Sequence, residues 1–252
     1  MKCIILAAGY ATRLYPLTEN FPKPLLPVGG KPILDWLIAD IESSGLVDEY
    51  IVVTNHKFAA HFRRWASGLA LAAPASSGSL AGRITVLDDG TSSNETRLGA
   101  VRDIQFAIDQ CALDDDLLVI AGDNLLSFSL VDFIRYARAK GTSCVMRYYE
   151  PDEARLRKAG VAEIDADDRV VRMEEKPAVP RSHWCLPPFY YYRRADVPLV
   201  AAGIAAGCSV DAPGAFVAWL CSQAPVHAFA MPGPRHDIGD LASYQAVQKL
   251  YT

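Results

Sequence analysis

The sequence lacks several features that would mark whole classes of protein. No stretch approaches the roughly 20 consecutive apolar residues that a transmembrane helix needs, and the apolar run at residues 3–7 is too short for a signal-peptide core. Basic residues are not in excess, because the 252 residues carry a formal net charge of −4. This balance argues against a nucleic-acid partner. We therefore expect a cytoplasmic protein without membrane partners.

Cysteine and histidine show no spacing typical of metal sites or disulfide scaffolds. The six cysteines are scattered and include no CxxC pair, so reduced thiols of a cytosolic enzyme are expected. The five histidines have no metal-ligand spacing. Neither the G-x-G-x-x-G nor the Walker pattern occurs. Any nucleotide site must therefore use a different loop.

What the sequence does contain is an alternation of apolar strand and helix patterns. Strands are expected at residues 3–7, 50–54, 84–87, 117–121 and 143–148, and helices at 33–43, 58–65 and 130–139. Such alternation predicts an α/β fold, namely a Rossmann-like mixed, mainly parallel sheet with helices on both faces. Residues 161–173 alternate around an Asp-Asp-Arg turn and predict an antiparallel hairpin, part of a small substrate-covering region.

We expect one domain, with a nucleotide-binding part at about residues 1–125 and an acceptor-binding part at about 126–252. The Ala-, Ser- and Gly-rich segment 66–82 is interpreted as a helix extension that leads into a surface loop. It is either a tolerated insertion or, less favoured, a functional lid.

The first chemical motif is LAAGYATRLYPLT at residues 6–18, followed by PKPLLPV at 22–28. A strand that ends in a loop of small residues exposes backbone N–H groups to an anion, and Gly9 adds no side chain that would keep a phosphate away. Arg13 offers a fork of donors to phosphate oxygens, and Lys23 offers a second positive charge. The pattern indicates binding of a phosphorylated ligand at the carboxyl edge of a sheet.

Two further motifs carry charged side chains. Asp123 lies in the Gly122-Asp123-Asn124 segment at the end of the strand at 117–121, so its carboxylate, a ligand type that Mg²⁺ prefers, is expected at the same edge. Lys176 lies in MEEKP at residues 173–177. It is a point charge able to hold two anions together, and Pro177 restricts its path.

These motifs together resemble the signature of the sugar-1-phosphate nucleotidylyltransferases, in particular short glucose-1-phosphate thymidylyltransferase-like forms without a C-terminal β-helix domain. The pattern has glycine where this chain has Ala11, which still admits a phosphate if its φ is negative. The resemblance implies that Arg13 and Lys23 grip the triphosphate and that the loop backbone wraps the nucleotide. The implied nucleotide-binding residues are Leu6, Ala7, Ala8, Gly9, Ala11, Thr12, Asn94 and Gly99.

The resemblance also implies a magnesium site and an acceptor site. Asp123 matches one metal ligand of the family, and Asp237, in RHDIGDLASY at 235–244, matches the second. In this last stretch Arg235 replaces the usual Trp and Asp240 the usual Thr. The alternative for Asp237 is the N-cap or a turn before the terminal helix. The implied catalytic residues are Arg13, Lys23 and Lys176, and the implied acceptor-binding residues are Asn124, Glu175 and Tyr191.

The segment that would read the base departs most from the family pattern. In NETRLGAV at 94–101, Asn94 stands for the usual glutamine and Arg97 for the usual proline. An amide one methylene shorter still presents a donor and an acceptor, but with a different reach. The choice of base therefore stays open.

The expected activity is transfer of NMP from an NTP to a sugar 1-phosphate, with Mg²⁺, giving an NDP-sugar and pyrophosphate. A cytidylyltransferase acting on phosphocholine or a similar phosphonate is the alternative, in which Trp184 and the aromatic residues 189–192 would form a cage for a quaternary ammonium. Their packing in the core is favoured over that cage. A non-catalytic nucleotide or sugar sensor is a third hypothesis.

A glycosyltransferase is disfavoured, because the D-x-D at 114–116 precedes its strand and lies at the wrong edge. The expected partners are small molecules, and the sequence leaves the oligomeric state open, a homo-oligomer included.

Overall fold

The computed structural model describes residues 1–72 and 80–251. The strands are β1 (Lys2–Leu6), β2 (Pro27–Val28), β3 (Lys31–Pro32), β4 (Glu49–Thr54), β5 (Ile84–Asp88), β6 (Leu117–Ala121), β7 (Asn124–Leu126), β8 (Ser143–Tyr149), β9 (Gly160–Ile164), β10 (Val170–Glu175), β11 (Trp184–Cys185), β12 (Phe189–Tyr192), β13 (Val226–Ala230) and β14 (Arg235–Asp237). The α-helices are α1 (Ile33–Glu42), α2 (His56–Ala72), α3 (Ala100–Gln110), α4 (Val131–Lys140), α5 (Glu153–Leu156), α6 (Leu199–Ala205), α7 (Gly214–Leu220) and α8 (Leu241–Gln248).

The chain forms two compact units that interleave along the sequence. The first unit comprises Met1–Arg97, Ala121–Val131 and Gly233–Thr252, and the second comprises Leu98–Ile120 and Asp132–Pro232. The functional parts expected at about residues 1–125 and 126–252 stay predictions, and the bounds of the two compact units differ from them. The physical reason lies in the first unit, where β14 returns from the C-terminal segment to pair with β7.

The first unit contains a parallel sheet in the order β1-β4-β5. Lys2 pairs with Glu49, and Tyr50 pairs with Ile84. Strands β1 and β4 contain the apolar runs Cys3–Leu6 and Tyr50–Val53, and Cys3, Ile4 and Ile5 of β1 are fully buried, as expected for a parallel strand with both faces covered. The parallel direction brings the carboxyl ends of the three strands to one edge.

Helix α1 shows how local sequence determines an element of this unit. Its apolar residues recur at intervals of three and four, so that one face is buried. Gly45 follows the helix with a φ of 64°, a conformation that glycine adopts without steric cost. The helix predicted at 33–43 is thus confirmed. The buried residues of this face are Ile33, Leu34, Leu37, Ile38 and Ile41.

The second unit holds the antiparallel strands. In it β10 pairs with β9, β9 with β11, β11 with β8, β8 with β12 and β12 with β6, all antiparallel, whereas β13 runs parallel to β8. The hairpin predicted at 161–173 is confirmed as β9 and β10. Its turn includes Asp168 with a φ of 64°, a left-handed conformation that aspartate tolerates better than most residues.

Other predicted elements agree in type but differ at their ends. The strand at 117–121 coincides with β6, whereas the helix expected at 58–65 is the longer α2. Residues 66–72 are thus helical, as expected for the first part of the 66–82 segment. Residues 73–79, with the remainder of that prediction, lie outside the described residues. Within the described ranges, the helices are all too short or too polar to cross a bilayer.

Candidate active site

A cleft in the first unit lies at the carboxyl end of β1. It has a volume of about 200 Å³, and it brings together side chains from the two N-terminal motifs and from the segment after β6. Seven of its eight lining residues were predicted site residues. The lining residues are Leu6, Ala7, Gly9, Ala11, Arg13, Lys23, Pro24 and Asp123.

The loop that forms one wall of the cleft is held by hydrogen bonds from neighbouring elements. The N–H of Ala7 donates to the carbonyl of Val53 at 2.9 Å, and the buried Asn55 side chain donates to the carbonyl of Ala8 at 2.9 Å. Gly9 is exposed, and a Cβ built on it would meet no heavy atom within 4 Å. The loop is thus anchored from below while its upper surface leaves room for a phosphate.

Ala11 does not have the negative φ on which the sequence interpretation depended. Its φ is 48° and its ψ is 41°, in the left-handed region, where a non-glycine residue carries a cost of about 1–2 kcal/mol. The buried Thr18 hydroxyl donates to the carbonyl of Ala11 at 2.8 Å and holds this conformation. The loop therefore keeps a geometry suited to glycine although it carries a methyl group.

The two predicted phosphate-binding cations occupy different environments. Arg13, in the short 3-10 helix Thr12–Leu14, is exposed, and among the described residues no carboxylate forms an ion pair with it. Lys23 is only 8% exposed, and its ammonium lies 2.7 Å from Oδ2 of Asp123. One cation is therefore available for an incoming anion, whereas the other already balances a carboxylate of the site.

The two predicted metal-binding aspartates lie at the ends of two paired strands of the first unit. Asp123 immediately precedes β7, and Asp237 ends β14 in register with Asn124 of β7. The side chain of Asp237 is 52% exposed. The N-cap of α8 is Asp240, whose side chain accepts from the N–H of Ser243. The alternative role of Asp237 as that N-cap is therefore wrong.

The donor chemistry of this pair fits Mg²⁺. Among the residues that the structure describes, no three His, Cys, Asp or Glu side chains gather as a metal cage. A cage is not required, since Mg²⁺ in phosphoryl-transfer sites is commonly held by one or two carboxylates together with substrate phosphates. Asp123 and Asp237 supply two such carboxylates, beside a loop suited to phosphate.

Asn124 has a different role from the predicted acceptor contact. It is fully buried; its Nδ2 donates to Oδ1 of Asp123 at 2.7 Å, and its Oδ1 accepts from Nη1 of Arg235 at 2.6 Å. Both ends of the amide are thus used within the carboxylate site. We correct Asn124 from an acceptor-binding residue to one that orients Asp123.

Glu175 and Lys176 lie at the end of β10 in the second unit. A Cβ built on Gly214 would lie 2.4 Å from Oε2 of Glu175, and one on Gly160 would lie 3.0 Å away. These two glycines therefore make room for the carboxylate. Burial raises the pKa of Glu175, against the lowering effect of Lys176. Lys176 is exposed and has a φ of 50°, a strained conformation of the kind that clusters at functional sites.

Tyr191 is a structural residue and not an acceptor contact. It is 2% exposed, and its hydroxyl donates to Oδ2 of Asp116 at 2.5 Å. Asp114, at the other end of the D-x-D, pairs with Arg194. Because these carboxylates precede β6, they lie at the amino end of that strand. The structure thus replaces the acceptor-binding role predicted for Tyr191 with an anchor for this turn.

The neighbouring aromatic residues also belong to the core. Phe189, Tyr190 and Tyr192 are at most 2% exposed, and the rings of Tyr190 and Tyr192 stack with centroids 6.0 Å apart. The guanidinium of Arg147 lies 4.6 Å from the ring centre of Trp184. The burial of residues 189–192 supports their interpretation as core residues. It argues against a cage for a quaternary ammonium.

The segment proposed to read the base is divided between the two units. Asn94 is exposed in a turn of the first unit, where its carbonyl accepts from Nη1 of Arg97 at 2.8 Å. Gly99 is the N-cap of α3 in the second unit and has a φ of 91°, and a Cβ there would lie 2.5 Å from the carbonyl oxygen of Val210. A close backbone contact therefore explains this glycine without a nucleotide. The nucleotide-binding roles of both residues stay predictions.

A comparison with known families agrees with the chemistry of the cleft. A family model described as nucleotidyl transferase matches residues 2–252. The chain belongs to the nucleotidyl transferase family.

Curated relatives share between a quarter and a third of their aligned residues with this nucleotidyl transferase. The bifunctional protein GlmU of Methanocaldococcus jannaschii is 30% identical over 73% of the chain and 38% of its own length. A glucose-1-phosphate thymidylyltransferase of Mycolicibacterium smegmatis is 29% identical over 76% of the chain and 61% of its own length. The matches thus span only about two fifths to three fifths of these relatives.

Solved structures show the same fold. An apo UDP-glucose pyrophosphorylase superposes with a TM-score of 0.81 at 16% identity, with 100% of this chain and 98% of that chain covered. The same type of enzyme in complex with UDP-glucose gives a TM-score of 0.77 at 17% identity, with 99% and 97% covered. At these identities the likeness establishes the fold, which is the mixed α/β class predicted from the sequence.

The first unit of this nucleotidyl transferase has a second, larger cavity of different character. It measures about 500 Å³ and is lined mainly by α1, residues 126–129 and Tyr251. Its charged groups are engaged, since the ammonium of Lys31 lies 3.6 Å from the ring centre of Trp36 and Asp40 accepts from the N–H of Leu130 at 2.7 Å. It contains none of the predicted site residues. The smaller cleft, and not the larger cavity, therefore carries the side chains expected for phosphate chemistry.

The sequence interpretation missed two supporting residues of the candidate cleft. Asn55 directly follows β4 and is fully buried; a polar residue just after a predicted buried strand was the signal that could have identified it. Arg235 was noted only as a departure from the family pattern, yet it contacts Asn124 and lies 3.7 Å from Asp237. No pattern within the sequence connects residue 235 with residue 124.

Proposed function

We propose that this chain transfers a nucleoside monophosphate from an NTP to a sugar 1-phosphate, releasing pyrophosphate, with Mg²⁺ as the metal ion. The observation that carries the proposal is the cleft of the first unit, in which Arg13, Lys23 and Asp123 surround the loop at the carboxyl end of β1. The family and the thymidylyltransferase and GlmU relatives support the same class of reaction.

The loop and its cations suit the triphosphate. Backbone N–H groups near Gly9 can donate to phosphate oxygens without a side chain between them. The exposed Arg13 can add a two-pronged contact, and Lys23, which is paired with Asp123, adds to the positive charge of the cleft. Such positioning and charge neutralisation supply most of the rate in phosphoryl-type transfer, where the protein performs little covalent chemistry.

In the proposed reaction a phosphate oxygen of the acceptor attacks the α-phosphorus, and the bond from that phosphorus to the bridging oxygen of the β-phosphate breaks. Pyrophosphate leaves with the bonding electrons. Asp123 and Asp237 are the residues proposed to hold Mg²⁺. When bound, the ion neutralises charge that develops at the α-phosphate and on the leaving group.

The acceptor residues rest on the match to the family motif. We assign Lys176 to the acceptor's phosphate and Glu175 to its sugar hydroxyls. The raised pKa of the Glu175 carboxyl and the strained backbone of Lys176 support a functional role for this turn. The phosphocholine alternative is weaker, because four of the five aromatic side chains that it needs, those of residues 189–192, are in the core.

A substrate panel with pyrophosphate release as the readout tests this function. Five nucleotides (ATP, CTP, GTP, UTP and dTTP) are combined with hexose 1-phosphates, phosphocholine and aminoethylphosphonate, with Mg²⁺ or with EDTA. We expect pyrophosphate release with at least one nucleotide and a hexose 1-phosphate when Mg²⁺ is present, and none with EDTA. Turnover of CTP with phosphocholine instead would establish the cytidylyltransferase alternative. If no substrate pair releases pyrophosphate, a non-catalytic sensor is favoured.

The Asp123→Asn variant tests the metal assignment within that panel. It keeps the shape of the side chain but removes the charge that would bind Mg²⁺, so we expect kcat to fall by about 10³-fold. The matched control is Asp132→Asn, since Asp132 is an exposed residue of α4 that pairs with Arg135. Near-normal turnover of Asp123→Asn would contradict the assignment.

A further inference from the structure

Arg235 lies in the carboxylate site of the first unit, at a position where the family pattern has tryptophan. It begins β14 and pairs in register with Leu126 of β7, two residues before Asp237. Its guanidinium Nη1 donates to Oδ1 of Asn124 at 2.6 Å, and the same nitrogen lies 3.7 Å from Oδ2 of Asp237. One side chain thus reaches both strands that carry the aspartates.

The hydrogen bonds continue from Asn124 to the first aspartate. Nδ2 of Asn124 donates to Oδ1 of Asp123 at 2.7 Å, and the ammonium of Lys23 lies 2.7 Å from the other carboxylate oxygen. Each oxygen of Asp123 therefore has one donor. The carboxylate is fixed from both sides before any ligand arrives.

The orientation of the Asn124 amide depends on Arg235. An asparagine amide has an acceptor at one end and donors at the other. A guanidinium has only donors, so it selects the orientation with Oδ1 towards Arg235 and Nδ2 towards Asp123. Because Asn124 is fully buried, water cannot take over that selection. The reverse orientation would set an amide oxygen against a carboxylate oxygen.

We propose that Arg235 is a positioning residue for the metal-binding carboxylates, an inference that rests on the proposed function. It locks the Asn124 amide, which fixes Oδ1 of Asp123, and it also restrains Asp237. Its positive charge opposes the binding of a divalent cation, but the ordering of both ligands outweighs that repulsion. Partners that orient metal ligands in this way commonly change metal affinity by about 10- to 100-fold.

The test measures metal binding without turnover. Mn²⁺ is titrated into the intact protein in the presence of inorganic pyrophosphate, and free Mn²⁺ is followed by electron paramagnetic resonance. We expect Arg235→Met to weaken Mn²⁺ binding by about 10-fold. Arg235→Lys, which keeps a donor and a charge, should recover part of the loss. Arg135→Met is the matched control, because Arg135 is exposed and pairs with Asp132 on the surface of α4.

A double-mutant cycle shows whether the effect passes through the amide. In an Asn124→Leu background, Arg235→Met should add little further loss, because the side chain it orients is gone. Unchanged or tighter Mn²⁺ binding by folded Arg235→Met would overturn the proposal, and so would additive losses. If the wild-type protein binds no Mn²⁺, the proposed function is overturned as well. If the wild type binds Mn²⁺ and Arg235→Met binds it equally well, only the positioning role is overturned. Thermal melting of each variant identifies any loss of fold.

Discussion

The cleft of the first unit and strand β12 of the second unit contain the two groups of residues that stand out most in the sequence, and they differ in what folding does with them. The cleft keeps Arg13 exposed and Asp123 partly exposed, beside a loop with open space at Gly9. Strand β12 buries its four aromatic residues to 2% exposure or less. Residues in a loop after a strand stay accessible, whereas residues within a strand covered on both faces become core.

The largest effect that separates the two regions is expected for Lys23→Met. This change removes a charge from the triphosphate site and also the partner of Asp123, so we expect kcat/KM to fall by about 10²- to 10³-fold. The control is Lys31→Met, a lysine of the same unit that lines the larger cavity and should change kcat/KM by less than about threefold. If kcat/KM fell equally in Lys23→Met and Lys31→Met, the assignment of the triphosphate to the smaller cleft would be contradicted.

An intermediate effect is expected for Glu175→Gln. The pKa of Glu175 is raised above its ordinary value of 4.5 by burial, with Asp211 adding to the increase and Lys176 opposing it. The folded protein therefore binds this proton more tightly than the unfolded chain does. Its stabilising contribution is present below the ordinary pKa and is lost as the pH rises through the raised one.

The glutamine variant has no such titration. Urea unfolding from pH 4 to pH 7 should show the wild type losing stability relative to Glu175→Gln as the pH increases. Over the same series, the KM for the acceptor should rise by about 10-fold in the variant while the KM for the nucleotide stays unchanged. A pH-independent difference between the two proteins would contradict the assigned pKa shift.

The smallest effect on activity is expected for Tyr191→Phe, which tests the other side of the comparison. It removes the hydroxyl that donates to Asp116 and leaves the ring in the core. The free energy of unfolding should decrease by about 1–2 kcal/mol, measured by urea denaturation, while kcat and both KM values stay at wild-type levels. An increase in the acceptor's KM would return Tyr191 to the acceptor site.

Residues close together in the sequence were predicted well. The loop after β1, the parallel strands and the β9–β10 hairpin follow from short-range patterns, because apolar runs and turn residues act over a few positions. The local patterns did not predict the long-range contacts. Asn124 turns towards Arg235, Tyr191 towards Asp116, and Gly99 towards Val210, and these partners are separated by 75 to 111 positions in the chain.

Ala11 shows a different kind of limit. The sequence identified the departure from glycine but could not assign the sign of φ, which the structure gives as 48°. The hydrogen bond from Thr18 and the anchoring of the loop by Asn55 hold that conformation, and both depend on side chains outside the four or five residues that a local pattern includes.

By itself, the sequence determined the α/β class and placed a loop of small residues with two nearby cations after the first strand, because strand periodicity, small residues and fixed charges are local properties. Only the tertiary structure decided which polar groups stay accessible. It buried the amide of Asn124 between a carboxylate and a guanidinium, paired Lys23 with Asp123 and enclosed Tyr191 in the core. Those outcomes depend on which distant segments meet, since a buried polar group must find its partner wherever the chain brings one.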